Sequence, residues 1–411
     1  MDRSVFKEVK FEDLTMPPGY SLSGAGLILY SPAELQFMQT CRRFAIDELA
    51  AMAEELQRTK LELEKRDAPL NEYSKSMREG CLKIAGRMAE DGYAGIIFPR
   101  ELGGAGRSAV DYSIMLEEFS AEAYGGTGFH DNTIFGTVPI WKFGSEEQKE
   151  RFLKPAIRGE MISAIGITEP QAGSDAARVK TRAVKDGDNY ILDGVKRFIT
   201  NGGIAHYITV FAITDPDVHP HEGMSAFILP TDASGFNIEK RYDLMGQRLV
   251  DNSYFSLEDC RLPRDLLLGE EGQGFKIMMN ELDLERIVIC SGCVGAARKA
   301  YEIALEFAVR REQFKRPIYQ FEGISFKLAE MFTKLEAARL MTLRSARMVD
   351  AGHEASKETA SARIMASDGC YEVIDEALQI LGGIGYTKDY PVEGLLRDTR
   401  IQRIGGGSSE I

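Results

Sequence analysis

Glu285 stands where a carboxylate is chemically conspicuous. In NELDLERIVICSGCVGAARKA, read at helical spacing, Met278, Leu282, Glu285, Ile289, Gly292 and Ala296 share one stripe. A carboxylate on an otherwise apolar face loses solvation, which raises its pKa and suits it to act as a base. The same side chain could instead complete a buried ion pair, with Arg286 or with an arginine farther along the chain. A second stretch, AIGITEPQAGSDAARVK at 164–180, joins a strand to a Gly/Ser turn. It reads either as a polar hairpin loop or as a nest of N–H and hydroxyl donors, Thr168 and Ser174 among them, facing a polar ring or a phosphate. The chain ends in RIGGGSSEI. Its glycines 405–407 either form a slack tail or admit something close to the backbone.

Cheaper motifs carry less. Cys290-Ser-Gly-Cys293 has redox spacing but falls inside a predicted helix, not at a helix start after a strand. His219 and His221 sit in a Pro-rich polar loop without thiolates, so no metal is expected there. Gly103, Gly104 and Gly106 lack dinucleotide-binding spacing, and neither a Walker loop nor a Ser-centred nucleophile elbow is present.

The whole-chain numbers set bounds. A length of 411 residues suggests two or three domains, and 44% hydrophobic with 27% charged residues is ordinary for a globular protein. A net charge of −13 argues against nucleic acid, while leaving room for a small anion held by a local arginine or helix N-terminus. Cys41, Cys81, Cys260, Cys290, Cys293 and Cys370 are too scattered for a disulfide framework, so reduced thiols are expected. The start, MDRSVFKEVKFEDL, carries acids and no apolar core, and no run approaches membrane-spanning length. A cytoplasmic protein that does not enter the membrane is the expectation.

These residues need elements to position them. From 31 to 155 the pattern is helical, with Leu35, Met38, Cys41, Phe44, Leu49 and Met52 recurring every three to five residues. A further helix is expected near 74–92, and Ser145 with Gln148 forms a capping-box signature before a short helix ending near Pro155. Between 161 and 274 short β-rich runs alternate with turn signals: MISAIGIT, ARVKTRAV, YILDGVKRFIT, YITVFAIT, GMSAFILP, GFNIEKR. Long amphipathic helices return near 275–310, 321–350 and 357–381. The fold class is therefore α+β. An N-terminal helical domain (1–160) leads to a middle antiparallel β-barrel or sandwich (161–273) and a C-terminal four-helix bundle (274–411).

Several long motifs in this order resemble the acyl-CoA dehydrogenase family. ITEPQAGSD is similar to its first signature, and FITNG and the Arg311-x-x-Phe314 pair to further marks. QILGGIGYTKDYPVEGLLRDTRI, 379–401, resembles its C-terminal signature. The resemblance implies FAD as cofactor, held around Ile165, Ile167, Thr168, Gly173, Ser174, Phe198 and Thr200. It implies that Arg311, Gln313 and Phe314 reach the pyrophosphate and adenine side from a neighbouring subunit, and that Gln379, Gly382 and Gly383 hold the same pyrophosphate. Ser408 and Glu410 would touch the adenine side. A cofactor shared across subunits implies an oligomer, a homotetramer by family habit.

The chemistry implied is α,β-dehydrogenation of an acyl-CoA thioester, with a Glu removing the α proton, the β hydrogen leaving as hydride to flavin N5, and electrons passing to electron-transfer flavoprotein. Most members carry the base in a C-terminal Tyr-Glu-Gly-Thr motif. Here Gly405, Gly406, Gly407 and Ser408 stand at those positions. A smaller group, resembling isovaleryl-CoA and long-chain acyl-CoA dehydrogenases, carries Glu on the long helix, and that position is Glu285. Gly406 would keep a thioester-binding backbone N–H. Ser174, Leu282, Asp283, Arg286 and Gly407 would border CoA and acyl group, and Phe129, His130 and Asp131 the acyl floor. Asp283 and Arg286 could equally form an i,i+3 ion pair, and His130 and Asp131 could face solvent. Glycine at 406 also leaves room near the substrate's α carbon, so a branched, cyclic or aryl-substituted acyl group is expected. Three features depart from the family pattern: Glu322 replaces a Gln near the cofactor, Ile165 replaces a polar or aromatic residue, and the chain stops at Ile411. The rival readings are an oxidase or other elimination on the same scaffold, and a catalytically silent acyl-CoA-binding protein.

Overall fold

A computed structural model describes residues 29–123, 127–280 and 282–411. The acid-bearing start at 1–14 lies outside the described residues. Helix α1 (Pro32–Phe44) begins at a full capping box: the Ser31 hydroxyl accepts from the Glu34 N–H, and the Glu34 carboxylate accepts from the Ser31 N–H. The five-residue step from Phe44 to Leu49 has a structural counterpart. A π-turn at Ala45–Leu49 absorbs the extra residue, keeping both side chains buried before α2 (Ala50–Lys65) continues. Helices α3 (Leu70–Glu90), α4 (Ala109–Ala123) and α5 (Gly128–Phe143) follow. Ser145 and Gln148 form the expected reciprocal cap. That short helix ends near Pro155, as its signals suggested. It widens into a π-turn at Lys149–Leu153 and closes at Ile157.

Eight strands follow: β1 (Ser163–Gly166), β2 (Arg182–Asp186), β3 (Asn189–Thr200), β4 (Tyr207–Ile213), β5 (Met224–Pro230), β6 (Phe236–Arg241), β7 (Asn252–Pro263) and β8 (Leu267–Leu268). They form one connected sheet ordered β6-β7-β3-β2-β4-β5-β8, with β1 pairing β4 off that path. This corrects the barrel expectation, because the terminal strands β6 and β8 do not pair with each other and the sheet stays open. Pairing is mostly antiparallel, but β1 runs parallel to β4, and β2 meets β4 in a single parallel rung. Strand β4 is buried along Tyr207 to Ala212 because it has neighbours on both edges and packing on both faces.

The C-terminal part comprises α6 (Gly274–Met279), α7 (Leu282–Arg310), α8 (Glu322–Asp350), α9 (Ser356–Ile364), α10 (Cys370–Leu381) and α11 (Val392–Arg400). A two-stranded ribbon, β9 (Glu312–Gln313) with β10 (Arg316–Pro317), links α7 to α8. Met278 thus belongs to α6 and leaves the stripe assigned to Glu285, which begins on α7.

What fixes α7 is its crossing with α4. A Cβ at Gly295 would lie 2.3 Å from the Glu117 carbonyl oxygen, so only glycine permits this approach. Ser113 and Ser291 share a hydrogen bond at 2.7 Å in the same interface. Arg339 donates to Glu117 at 2.8 Å, while Arg298 and Arg42 reach Glu118 at 2.9 and 2.8 Å. These buried acids tie the first helices to α7 and α8. All six cysteines are free and buried, as their scatter suggested. Cys290, Cys293 and Cys370 fill the core of the C-terminal helices.

Candidate active site

Glu285 lies one turn into α7, partly buried, facing the chain's last residues. A Cβ on Gly406 would sit 2.8 Å from Glu285 Oε1 and 2.8 Å from Ile289 Cδ1. A side chain there would have to push the Glu285 carboxyl or the Ile289 tip aside, and Gly406 also holds φ +64°, in the left-handed region that disfavours side chains. The Glu285 carboxyl and Ile289 thus lie directly against the glycine turn. Burial pushes that carboxyl above the ordinary range, outweighing the opposing charges of Arg363 and Arg286. A carboxylate kept basic in a sheltered place is what proton abstraction requires.

The tail is not slack. Gly405 N–H donates to the Ile401 carbonyl at 2.8 Å, and Arg363 Nη2 donates to the Gly405 carbonyl at 2.6 Å. Arg403 and Ser409 both reach Asp368 Oδ1, at 2.6 and 3.0 Å. Glu410 is exposed, its carboxyl held low by its own backbone N–H and the Ser408 hydroxyl. On α7, Arg286 lies 3.7 Å from Asp283. Asp283 also accepts from Thr359 at 2.9 Å and Ser356 at 3.1 Å, while Leu282 begins the helix.

The ITEPQAGSD loop is organised from within by Glu169, a residue the sequence reading passed over. Its carboxylate accepts from the Lys180 and Thr181 N–H groups, the Thr181 hydroxyl and Lys196 Nζ, at 2.6, 3.1, 2.6 and 2.8 Å. Glu169 and Lys196 side chains are 1% and 0% exposed. Burial pushes the Glu169 carboxyl up, but Lys196 and the hydrogen bonds win and hold it below the usual range. Backbone bonds between Glu169 and Ala172 close the turn. Ile165, Ile167 and Thr168 are left half-buried, with Gly173 and Ser174 exposed beyond them.

The next wall comes from β3. Its register with β7 shifts between Lys196 and Ile199, and Phe198 takes φ +57° within that irregularity. This unusual backbone aims the ring outward, 49% exposed, against Tyr242 at 4.7 Å and Arg197 at 4.1 Å. Thr200 Oγ1 accepts from Asn252 Nδ2 at 3.3 Å, while the buried Asn252 Oδ1 has no partner. Asn252 opens β7, a strand missing from the sequence reading because Glu258, Asp259 and Arg261 mask its alternation. An orphaned buried acceptor and an exposed aromatic on a strained backbone suit a flat, polar-edged ring such as a flavin.

Other expected contacts lie apart. Arg311, Gln313 and Phe314 project from the β9–β10 ribbon, Phe314 at 88% exposure. Gln379, Gly382 and Gly383 are exposed, and a Cβ at either glycine would meet nothing within 4 Å. Glu322 is exposed in the first turn of α8. His130 does not face solvent. It is buried, its Nε2 donates to the Ala94 carbonyl at 3.1 Å, and its Nδ1 is unpartnered, 3.7 Å from Asp131 Oδ1. Asp131 is half-buried, 3.5 Å from the Tyr112 hydroxyl. His221 stacks on Phe275 at 3.7 Å, and among the described residues no cluster of three potential metal ligands occurs. Nor is any described helix long and apolar enough to cross a membrane.

Three family models match: acyl-CoA dehydrogenase N-terminal domain over 31–160, middle domain over 164–260, and C-terminal domain over 272–411. The mouse mitochondrial short-chain specific acyl-CoA dehydrogenase is 39% identical over 374 residues, covering 91% of this chain and 86% of that one. A 3-(aryl)acrylate reductase from Clostridium sporogenes is 41% identical over 332 residues, covering 80% and 87%. A chain in the solved structure of the electron transferring flavoprotein of Acidaminococcus fermentans superposes with TM-score 0.84 and 37% identity, covering 93% of this chain and 96% of that one.

Proposed function

Since the chain belongs to the FAD-dependent acyl-CoA dehydrogenase family, we propose that it dehydrogenates an acyl-CoA thioester across the α,β bond with Glu285 as the base. The observation that carries this reading is the juxtaposition at Gly406, where the Glu285 carboxyl oxygen lies 2.8 Å from the position a Cβ would take. Glu285 takes the α proton onto its carboxylate, and burial makes that carboxylate more basic than an exposed one. The Gly406 N–H donates to the thioester oxygen as negative charge develops on it, a task that needs no side chain. Asp283 and Arg286 hold the CoA side of the helix, and Ser174 borders the same path. Bound FAD supplies the acceptor for the β hydrogen and its two electrons. Thr168, Thr200, Asn252 and Phe198 hold its ring, and Gly382, Gly383, Gln379, Arg311, Gln313 and Phe314 its phosphate and adenine side.

Three finer assignments go with this reading. The acyl group is branched, cyclic or aryl-substituted. The similarity to an aryl-acrylate reductase supports this. The electrons go to an electron-transfer flavoprotein, a reading supported by the structural neighbour. The exposed Phe314 beside Arg311 supports a cofactor completed by a second subunit. The homotetramer is carried by family resemblance alone, and the cytoplasmic location stands as the sequence expectation. Anaerobic mixing with straight, branched, cyclic and aryl acyl-CoAs, followed by flavin absorbance, tests this. Bleaching by the bulky class is expected, and no bleaching by any thioester would overturn the reading. Rapid oxygen consumption without a carrier protein would assign the oxidase instead.

A further inference from the structure

We propose that Arg363, on α9, is a positioning residue that fastens the glycine turn against Glu285 and holds a fixed positive charge behind the base. This deepens the reading of Glu285 as base and rests on it. Arg363 is 6% exposed, and its Nη2 donates to the Gly405 carbonyl at 2.6 Å. That carbonyl belongs to the peptide whose nitrogen is Gly406 N–H, so the bond orients the peptide that must present its donor to substrate. The other guanidinium nitrogens, Nε and Nη1, are buried with no acceptor, and among the described residues no carboxylate pairs with Arg363. A buried arginine without a counter-ion is costly, and its charge is screened less than it would be in water.

Its surroundings include Glu285. The charged groups acting on that carboxyl are Arg363 from α9 and Arg286 from its own helix, with Arg363 the stronger. Neighbouring acids are otherwise engaged: Asp283 with Thr359, Ser356 and Arg286, and Asp368 with Arg403 and Ser409. Burial raises the Glu285 carboxyl, and Arg363 is the stronger of the two charges opposing that rise. The same side chain fastens the turn that lies against the carboxyl.

The variants Arg363→Gln and Arg363→Lys separate charge from contact. Gln retains a donor for the Gly405 carbonyl but loses the charge, and Lys keeps the charge on one nitrogen of a shorter side chain. In the FAD-loaded tetramer, the acidic midpoint of the flavin-reduction rate should rise by about one pH unit or more in Arg363→Gln. In Arg363→Lys it should stay with the parent, while the plateau rate falls roughly tenfold from looser placement. Infrared spectroscopy reads the same titration without turnover, through the protonated-carboxyl band that Glu285→Gln removes. An unmoved midpoint and band in folded, flavin-replete Arg363→Gln would overturn the proposal. Undiminished reduction by Glu285→Gln would instead overturn the assignment of the base, whatever Arg363 does.

Discussion

Two sheltered glutamates in this chain have opposite surroundings. Glu169 accepts hydrogen bonds from two backbone N–H groups and a threonine hydroxyl, and faces a buried ammonium. Glu285 makes no hydrogen bond to a described residue and feels two arginines only at a distance. Both lose solvation, yet the Glu169 carboxyl is held low and the Glu285 carboxyl is pushed up. The difference teaches what burial alone cannot decide: a saturated carboxylate is a structural clamp, and an unsaturated one is a proton acceptor in waiting.

The comparison can be broken most severely at Glu169. Glu169→Gln leaves Lys196 buried opposite a neutral amide and should cost about 3–5 kcal/mol of stability, read by denaturant unfolding. Because the folded carboxyl is depressed, the parent's advantage is full above the unfolded carboxylate value. It disappears as pH falls through the folded one. A loss below about 1 kcal/mol would show that the pair is not a clamp.

Gly406→Ala comes next. Its methyl must displace Glu285 Oε1 from 2.8 Å and adopt φ +64°. Since a misplacement of about 1 Å can cost about 100-fold in rate, single-turnover flavin reduction should slow by that order. Near-parent rates would mean the carboxyl does not work from this position.

The smallest effect has the opposite sign to the first. Glu285→Gln should slightly raise the melting temperature at neutral pH, because it removes a carboxylate that prefers to be neutral when folded. The gain should be absent below the unfolded carboxylate value, grow as pH rises towards the raised folded value and be full above it. A destabilised Glu285→Gln would place Glu285 with the clamps.

Much of this was legible in the sequence, for local reasons. Helical spacing singled out Glu285 and the Ser145 cap formed as written, whereas the π-turn at Ala45–Leu49 went unread within a pattern taken as plain helix. What escaped depends on distant partners. Glu169 reads as an ordinary loop acid until Lys196 folds back from β3, and nothing near Arg363 in the sequence points to Gly405 or Glu285. The strands were visible as alternation, but whether they close into a barrel is decided by pairing between edges that alternation does not encode. That the Glu285 carboxyl and Ile289 lie against Gly406 was hidden for the same reason, since a missing side chain does not name its neighbours.

The central claim is that Glu285 removes the substrate's α proton. It is tested most directly by anaerobic single-turnover flavin reduction in Glu285→Gln, using whichever acyl-CoA bleaches the parent protein. General bases typically contribute about 100- to 10,000-fold, so the rate should fall within that range while flavin content and thioester binding persist. Reduction at the parent rate would contradict the account.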